Sequence, residues 1–433
     1  MQQRVLVLGG YGLIGTEVAR ALMARGHVVS ALGRNRRAAK AALPNATWHF
    51  HDLAELVSVG DWREILRDVD CVVNCAGALQ PSANDDLEVV HHHAIAACAE
   101  ACAAAGVGLV QVSAVGASLE ASIAFLRSKA EGDAAVVASG ARHWIIRPGL
   151  VLAPSAYGGT LLLRMLAAVP VVQPIAMGKA QIQTVSVFDL AGAVAKCIEG
   201  EIASGAQFDL VEAEPQSLKA VVGAVRRWLG FTPARVHFPA PKFAVSMVAR
   251  VADGLGRLGW RSPLRSTAVA VLADGVRGDP EQWAALGQAP VSTLDETLAT
   301  MSARPEDRQF ARLAVLMPLA VLVLSVFWIA SGIVGLVRLS DAAQVLQGVG
   351  WSKSAALFSV AGWSVVDIAL GIWVLQRRYA RRACLGMILV SLVYLVSASV
   401  LTPALWLDPL GPLVKIFPTI MLAALVRSLL GTR

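Results

Sequence analysis

The sequence lacks the features that usually mark nucleic-acid-binding and secreted proteins. It has no zinc-ligand spacing and no basic segment interleaved with aromatic residues, so its net charge of +7 does not indicate a nucleic-acid partner. No small-residue cleavage site follows the apolar start, which predicts that Val5–Leu8 is part of a strand rather than a signal peptide. The six cysteines stand in apolar surroundings without partner ligands, which favours small buried residues over a metal or redox site.

Hydrophobic residues are abundant instead, at 56% of the chain, and they are concentrated after Leu313. Four apolar stretches there each approach the ~20 residues that cross a hydrocarbon core. They are Leu313–Val337, Ala355–Leu375, Ala383–Leu401 and Leu410–Val426. This pattern predicts an all-α bundle of four transmembrane spans.

Arginines flank the four stretches unevenly. They precede the first, fill the second connection and follow the fourth, at Arg304, Arg308, Arg312, Arg377, Arg378, Arg381, Arg382, Arg427 and Arg433. The first and third connections hold only Arg338 and Lys353 as cations. Because positive loops stay on the cytoplasmic side, we expect a multi-pass protein of a bacterial-type inner membrane with both termini in the cytoplasm.

The chain begins with a pattern typical of a dinucleotide-binding turn. A strand is predicted at Arg4–Leu8 and a helix at Thr16–Arg25. The turn between them consists of Gly9, Gly10, Tyr11, Gly12, Leu13, Ile14 and Gly15. In such a turn Gly9 permits the tight bend, Gly12 lets the backbone approach a pyrophosphate, and Gly15 allows close packing of helix on strand. We predict that these seven residues bind the cofactor.

The end of the second predicted strand, His27–Leu32, indicates which dinucleotide is bound. NAD-selective sites usually place a carboxylate here for the ribose hydroxyls, whereas a 2′-phosphate is bound by arginine. This chain has no carboxylate at that point but has Arg34, Arg36 and Arg37. NADP(H) is therefore favoured over NAD(H), with Arg34 on the phosphate; the alternative is that Arg36 and Arg37 only begin a solvated helix.

Strands and helices alternate through the following residues. Strands are predicted at Cys71–Asn74 and Val107–Ser113, with a helix at Leu87–Ala105 between them. This alternation predicts an α/β fold with a doubly wound parallel sheet. His91-His92-His93 falls on that helix, where neighbours point about 100° apart. The run therefore predicts a partly solvated helix and no metal site.

These residues resemble the extended or atypical short-chain dehydrogenase/reductase family, and most of all the branch that includes accessory-subunit-like proteins of respiratory complex I. The resemblance covers about residues 1–300. It rests on Gly9-x-x-Gly12-x-x-Gly15, Asp52-Leu53, Asn74-Cys75-Ala76-Gly77, Ser113-Ala114, Arg147-Pro148-Gly149 and Val187-Phe188-Asp189-Leu190. The C-terminal part, including Trp328-Ile329-Ala330-Ser331-Gly332, resembles a DoxX-like membrane domain. We expect a nucleotide-binding domain with a small substrate subdomain at 1–301, a linker at 302–312 and the membrane domain at 313–433.

The resemblance also implies roles for individual residues. Cofactor contacts are implied for Asp52, on the adenine, and for Leu53, Ala76, Gly77, Lys129 and Pro148. Ser113 and Lys129 are implied in the active cleft. The family's proton donor is a tyrosine four residues before the lysine, but this chain has Phe125 there. A phenyl ring cannot protonate the alkoxide that hydride transfer to a carbonyl leaves.

Three explanations of Phe125 remain open. Another group donates the proton, and Tyr157, in a glycine-rich loop, is the best of the four tyrosines. Alternatively, the acceptor is a quinone or flavin, whose reduced form solvent can protonate. In the third explanation hydride chemistry is lost and the cofactor is structural or a redox sensor.

Two features concern the membrane. A predicted helix at Lys242–Arg261 has an apolar stripe, which consists of Phe243, Met247, Val251 and Leu258 and is adjoined by Arg250, Arg257 and Arg261. An apolar face edged by cations suits a bilayer interface, and the alternative is the core of the substrate subdomain. Asp367 lies about 18 Å into the second stretch, either bonded to a neighbouring helix or in a ligand or proton role.

The sequence as a whole favours a membrane-anchored, NADP(H)-binding oxidoreductase acting on an apolar, quinone- or lipid-like substrate at the cytoplasmic face. The rival hypothesis is a non-catalytic NADP(H)-binding sensor or assembly module that docks a membrane protein partner. It is supported by Phe125.

Overall fold

The computed structural model describes residues 1–77, 86–260, 262–409 and 411–430. Leu410, Arg261 and Arg433, which enter the span, helix and topology predictions above, lie outside the described residues. The chain divides into two compact units. The first comprises Met1–Asp253 and Ser262–Ala311, and the second Gly254–Arg261 and Arg312–Arg433. The boundaries 1–301, 302–312 and 313–433 stay a prediction.

The described residues form thirteen strands. They are β1 (Arg4–Leu8), β2 (Val28–Leu32), β3 (Thr47–His49), β4 (Cys71–Asn74), β5 (Gly108–Val112), β6 (His143–Pro148), β7 (Leu150–Leu152), β8 (Val172–Pro174), β9 (Gln181–Ile182), β10 (Thr184–Ser186), β11 (Gln207–Leu210), β12 (Gln216–Ser217) and β13 (Val236–Phe238). Seven of them make one parallel sheet in the order β3-β2-β1-β4-β5-β6-β11. The other six form three small pairs, β7 with β10, β9 with β12 and β8 with β13.

The described residues also form seventeen α-helices. They are α1 (Leu13–Ala24), α2 (Arg36–Ala42), α3 (Val59–Trp62), α4 (Ala94–Ala105), α5 (Ala124–Ala138), α6 (Gly158–Ala168), α7 (Val187–Glu199), α8 (Leu218–Trp228), α9 (Lys242–Arg257), α10 (Ser266–Asp274), α11 (Glu281–Ala284), α12 (Leu294–Thr300), α13 (Pro305–Val337), α14 (Leu339–Gln347), α15 (Lys353–Trp373), α16 (Arg377–Leu401) and α17 (Ile416–Leu429). A π-helical turn, Val89–His93, leads into α4.

Helices cover both faces of the large sheet, as alternate residues of β1 show. Val5 and Val7 pack in one hydrophobic cluster with residues of α1 and α7. Leu6 and Leu8 pack in a second cluster with α4 and Trp62. A strand buried on both faces needs a continuous apolar sequence, which β1 and β4 supply. The predicted doubly wound parallel sheet is confirmed.

Several predicted boundaries differ from the structure by a few residues. The first helix begins at Leu13 rather than Thr16, because Gly12 has an extended conformation (φ −74°, ψ 173°) and is the N-cap. The predicted helix Leu87–Ala105 is interrupted by the π-helical turn.

Three helices of the described residues, α13, α15 and α16, are long and apolar enough to cross a membrane. The fourth predicted stretch overlaps α17, an apolar helix of 14 residues. At 1.5 Å per residue α17 is about 21 Å long, shorter than a hydrocarbon core of ~30 Å. The count of four spans therefore stays a prediction.

Asp367 of α15 is buried between helices of the second unit. It accepts hydrogen bonds from Ser331 of α13 and Tyr394 of α16, each 3.0 Å long. Bonding to neighbouring helices, one of the two expectations for Asp367, is therefore observed. A ligand or proton role stays a prediction.

Helix α9 leaves its apolar stripe exposed. Phe243, Met247 and Val251 are 75%, 60% and 60% exposed, whereas Ala249 and Ala252 on the opposite side are buried. The stripe is thus not a core-packing face. Contact with lipid stays a prediction.

Candidate functional site

The strand order reverses between β1 and β4. β2 and β3 lie on one side of β1, and the chain then crosses to β4 on the other side. Open α/β sheets bind ligands at the carboxyl ends of the strands at such a point. Gly9 follows β1 there with a φ of +70°, which favours glycine. A Cβ on Gly9 would lie 2.9 Å from Cα of Ala76, so the loop after β1 contacts the loop after β4.

The remaining glycines of the turn also have no room for a side chain. A Cβ on Gly15 would lie 2.3 Å from the carbonyl oxygen of Gly9, and one on Gly12 would lie 3.0 Å from the same oxygen. The N-cap Gly12 has no side chain to cap the first N–H groups of α1, which start at Leu13. Such a cradle fits the pyrophosphate of a dinucleotide.

Two predicted cofactor residues contact each other beside this cradle. Arg34 donates to Oδ2 of Asp52 over 3.0 Å, with both side chains about one-third exposed. The other oxygen of Asp52 accepts from the N–H of Ala54, and Leu53 between them is buried. The residues expected at the 2′-phosphate and at the adenine thus lie at one place.

Aromatic rings line the neighbouring strand ends, a feature that the sequence motifs did not indicate. Tyr11 of the turn stacks on Trp48 of β3, with ring centroids 6.0 Å apart, and Trp48 stacks on Phe50 at the same distance. The guanidinium of Arg36 lies 4.3 Å from the centre of the Phe50 ring. Arg36 begins α2, which Asn35 caps through the N–H groups of Arg37 and Ala38.

A buried polar network lies at the carboxyl ends of β4 and β5. Asn74 donates to Gln111 over 2.8 Å, and Gln111 donates to Asp133 over 3.5 Å. The hydroxyl of Ser113 donates to the other oxygen of Asp133 over 2.7 Å, and Arg147 donates to that oxygen over 3.3 Å. Burial raises the pKa of Asp133, while the bond from Ser113 and the charge of Arg147 oppose the rise.

Lys129 lies on α5 one turn before Asp133. Its ammonium donates to the carbonyl of Val112 over 3.1 Å, and the residue is buried. Burial lowers the pKa of Lys129, an effect that the charges of Asp133 and Cys75 partly offset. A Cβ on Gly77 would lie 3.2 Å from Nζ, so Lys129 contacts the loop that also meets the glycine turn. Of the predicted active-site residues, the structure brings Ser113 and Lys129 together.

Tyr157 is not joined to them. It is the residue before α6 and is 54% exposed, and its backbone N–H and carbonyl both bond the hydroxyl of Thr160. Within the described residues, no hydrogen bond connects its hydroxyl with Ser113 or Lys129. Pro148 ends β6, is buried, and accepts from the N–H of Val115.

His91 is a buried residue of this cleft that the sequence motifs did not identify. It is 1% exposed, whereas His93 is exposed, so this partly solvated helix turns His91 to its buried side. Its Nδ1 lies 2.9 Å from the hydroxyl of Ser128, and its ring packs edge to face on Phe125 with centroids 5.7 Å apart. The π-helical turn explains why the sequence pattern did not identify His91, since a regular 3.6-residue period does not describe the directions of the side chains in such a turn.

Of the other two histidines, His92 is half-buried and His93 is exposed. With Glu88 they offer three ligand atoms within 4.8 Å of one another, but His93 and Glu88 are exposed. We assign no ion to this cluster.

Comparison with family models decides what the two units are. Residues 9–165 match a model described as NAD(P)H-binding, and residues 325–424 match the DoxX-like family. The chain joins an NAD(P)-binding Rossmann domain to a DoxX-like domain. The predicted fusion is thereby confirmed. No curated protein matches the chain in sequence.

Solved structures are similar to the Rossmann domain in fold. The Bordetella bronchiseptica enzyme WbmG, in complex with NAD, is 17% identical with a TM-score of 0.54, over 72% of this chain and 97% of that one. UDP-glucose 4-epimerase from Thermotoga maritima, with UDP-glucose, is 16% identical with a TM-score of 0.51, over 69% of this chain and 97% of that one. At these identities the similarity shows the fold alone.

Proposed function

We propose that the protein is a membrane-anchored, NADP(H)-binding oxidoreductase of short-chain dehydrogenase type. Its substrate is apolar, quinone- or lipid-like, and reaches the site from the cytoplasmic face of the membrane. One observation carries the proposal: Ser113 and the buried ammonium of Lys129 lie at the carboxyl ends of the central strands, where residues 75–77 after β4 meet the glycine turn. Hydride chemistry beside a dinucleotide needs polar groups at this place.

Residues of this chain would hold the dinucleotide in a definite way. The N-terminus of α1 would bind the pyrophosphate, and Asp52 and Leu53 would border the adenine. Arg34 would bind a 2′-phosphate, which supports NADP(H) over NAD(H) because no carboxylate stands at the end of β2. When bound, NADP(H) supplies or accepts hydride.

The apolar helices support the substrate class and the location. Three helices of the described residues are long and apolar enough to cross a membrane, and an active site anchored by such helices would meet molecules that partition into the bilayer. Four arginines in the first two turns of α16, Arg377, Arg378, Arg381 and Arg382, support a cytoplasmic position of this end of the helix and of both termini.

A second function is favoured by Phe125, which stands where the family's tyrosine would be. In this alternative the chain is a non-catalytic NADP(H)-binding sensor or assembly module, and the DoxX-like domain binds a membrane protein partner. Lys129 would then only hold ribose hydroxyls.

Titration of the full chain in detergent with NADPH and with NADH, followed by cofactor fluorescence, tests both functions. A short-chain quinone is then added to the NADPH complex. Preferential NADPH binding with oxidation supports the enzyme, and tight binding without oxidation supports the sensor or assembly module. No binding of either nucleotide overturns both. The variant Phe125→Tyr separates them further, since turnover that appears only in this variant means that the native chain has lost the reaction.

A further inference from the structure

Four exposed arginines lie at one end of the second unit, where the end of α9 packs on the start of α16. They are Arg257, which ends α9, and Arg378, Arg381 and Arg382 of α16. The N–H of Arg377 donates to the carbonyl of Leu258 over 3.0 Å. Nε1 of Trp260 donates to the carbonyl of Leu375 over 2.5 Å, and both contacts lie within the second unit. We call the four exposed arginines the basic cluster.

No carboxylate in the described part of the second unit neutralises the basic cluster. The acidic residues of that unit are Asp341, Asp367 and Asp408. Asp341 pairs with Arg338 over 2.5 Å, and Asp367 is buried. Asp408 follows the far end of α16, a helix about 37 Å long. Among the described residues, no ion pair engages any arginine of the cluster. Four exposed cations without anions attract an anionic ligand.

The three arginines of α16 share one face of that helix. At about 100° per residue, positions 378, 381 and 382 fall within an arc of about 100°. The opposite face carries Ala380, Ala383 and Met387, which are buried in a hydrophobic cluster of the second unit. The three guanidiniums therefore lie on the outward face of α16. Guanidinium N–H groups bind phosphate oxygens in pairs, so phosphate is the anion that suits this face.

The same arc of α16 continues as an apolar strip. The residues that follow the arginines on this arc are exposed: Leu385, Leu389, Leu392 and Val396. Trp373, which ends α15, and Tyr379 of α16 lie beside the arginines, with ring centroids 6.4 Å apart. Tryptophan and tyrosine are enriched at the headgroup level of bilayers. A ligand that matches this face has a phosphate at one end and a hydrocarbon chain at the other.

We infer that the basic cluster binds the headgroup phosphate of an anionic phospholipid, with an acyl chain along the apolar strip. A free phosphate gains nothing from the strip. A zwitterionic lipid gains less from the arginines, because its own ammonium group offsets the phosphate charge. The inference goes beyond the proposed function, since neither a dinucleotide nor a reaction enters it.

The test measures phospholipid binding to the full chain in neutral detergent by native mass spectrometry. Phosphatidylglycerol is compared with phosphatidylcholine that has the same acyl chains. We expect the native chain to bind phosphatidylglycerol at least about tenfold more tightly, since each arginine near an anionic surface adds about fivefold. The triple variant Arg378→Gln, Arg381→Gln, Arg382→Gln should lose most of this preference. A full preference in this variant would overturn the inference.

A matched control removes the same charge elsewhere in the second unit. It is a triple variant at three exposed cations, Arg338→Gln, Lys353→Gln and Lys415→Gln. This variant should keep the preference for phosphatidylglycerol. Equal losses in the two triple variants would mean an effect of net charge alone, and the basic cluster would then not be a site.

Two measurements need only the native chain, so they apply even where a variant fails to fold. Raising sodium chloride from about 0.05 M to about 0.5 M should reduce the preference, because salt screens exposed charges. An unchanged preference would exclude the arginines as its cause. Inorganic phosphate at the concentration of the lipid should not displace phosphatidylglycerol, and displacement would show a general anion site in place of a lipid site. NADPH binding does not enter these measurements, so their failure leaves the proposed function standing.

Discussion

The hydroxyl of Ser113 donates its hydrogen to the carboxylate of Asp133 over 2.7 Å. The same carboxylate also accepts hydrogen bonds from Gln111 and Arg147, so three donors converge on it. A carboxylate accepts all three, whereas an amide must turn its NH₂ toward one of them. The network therefore specifies an acid at position 133.

Asp133→Asn should destabilise the Rossmann domain. One donor would lose its acceptor in a buried place, which costs about 1–3 kcal/mol. Thermal unfolding of the full chain in detergent should show a lower midpoint for Asp133→Asn than for Glu120→Gln, an exposed position. Equal midpoints for the two variants would contradict the network.

Gly15→Ala should weaken dinucleotide binding. The added Cβ would lie 2.3 Å from the carbonyl oxygen of Gly9, so the glycine turn must move. We expect at least about a tenfold loss of NADPH affinity, or ~1.4 kcal/mol, in a fluorescence titration. Gly192→Ala is the matched control, because a Cβ there meets no atom within 4 Å. Undiminished binding by Gly15→Ala would place the nucleotide elsewhere.

Arg34→Ala should weaken NADPH binding more than NADH binding. A hydrogen bond to a charged group contributes about 1.5–3 kcal/mol, so the preference for NADPH should fall by about tenfold or more. Arg37→Ala, an exposed position on α2, serves as control. Equal losses for the two nucleotides would mean that Arg34 only pairs with Asp52.

Stability should depend on pH through His91. Its folded pKa is lowered, so below an unfolded pKa of 6.5 the unfolded chain binds the proton more readily and the folded state loses stability. Asp133 acts in the opposite sense, since its raised pKa favours the folded state as acid protonates it. Comparing His91→Gln with the native chain isolates the histidine. The thermal midpoint of the native chain should fall more than that of the variant as the pH is lowered from about 7 to about 5.5.

The stripe on α9 should contact lipid. We expect a fluorophore on Met247→Cys to be quenched by brominated lipid in vesicles containing anionic lipid, because apolar faces edged by cations bind such interfaces. A label on Val137→Cys, an exposed position of α5, should not be quenched. Equally weak quenching at both positions would mean that the stripe faces water. A label at position 247 that is shielded from water but not quenched by lipid would indicate a protein partner.

The sequence predicts the local parts of this molecule well. The strand β1, the glycine turn and the three longest apolar helices follow from short patterns, and the structure has them with shifts of a few residues. The polar network could not be predicted in this way. Asn74 lies opposite Gln111 only through the register of β4 and β5, and Asp133 reaches them from a helix later in the chain. No motif connects those three positions.

His91 shows a different limit. A run of three histidines on a helix predicts three directions about 100° apart, but not which one faces inward. The π-helical turn and the hydroxyl of Ser128, 37 residues later, decide that. Ser128 directly precedes Lys129 in the sequence, but its contact with His91 is a tertiary contact that the sequence does not show.

The cysteines have a consequence for how the protein senses its surroundings. Five of the six are buried, and Cys75 is half-buried. Burial raises the pKa of Cys71 and of Cys75 to about 12, so almost no thiolate exists at neutral pH. Peroxides and alkylating reagents attack thiolates, and these two sulfurs are therefore poor oxidant sensors. A response of the Rossmann domain to the redox state of the cell would then be read from the ratio of reduced to oxidised dinucleotide rather than from Cys71 or Cys75.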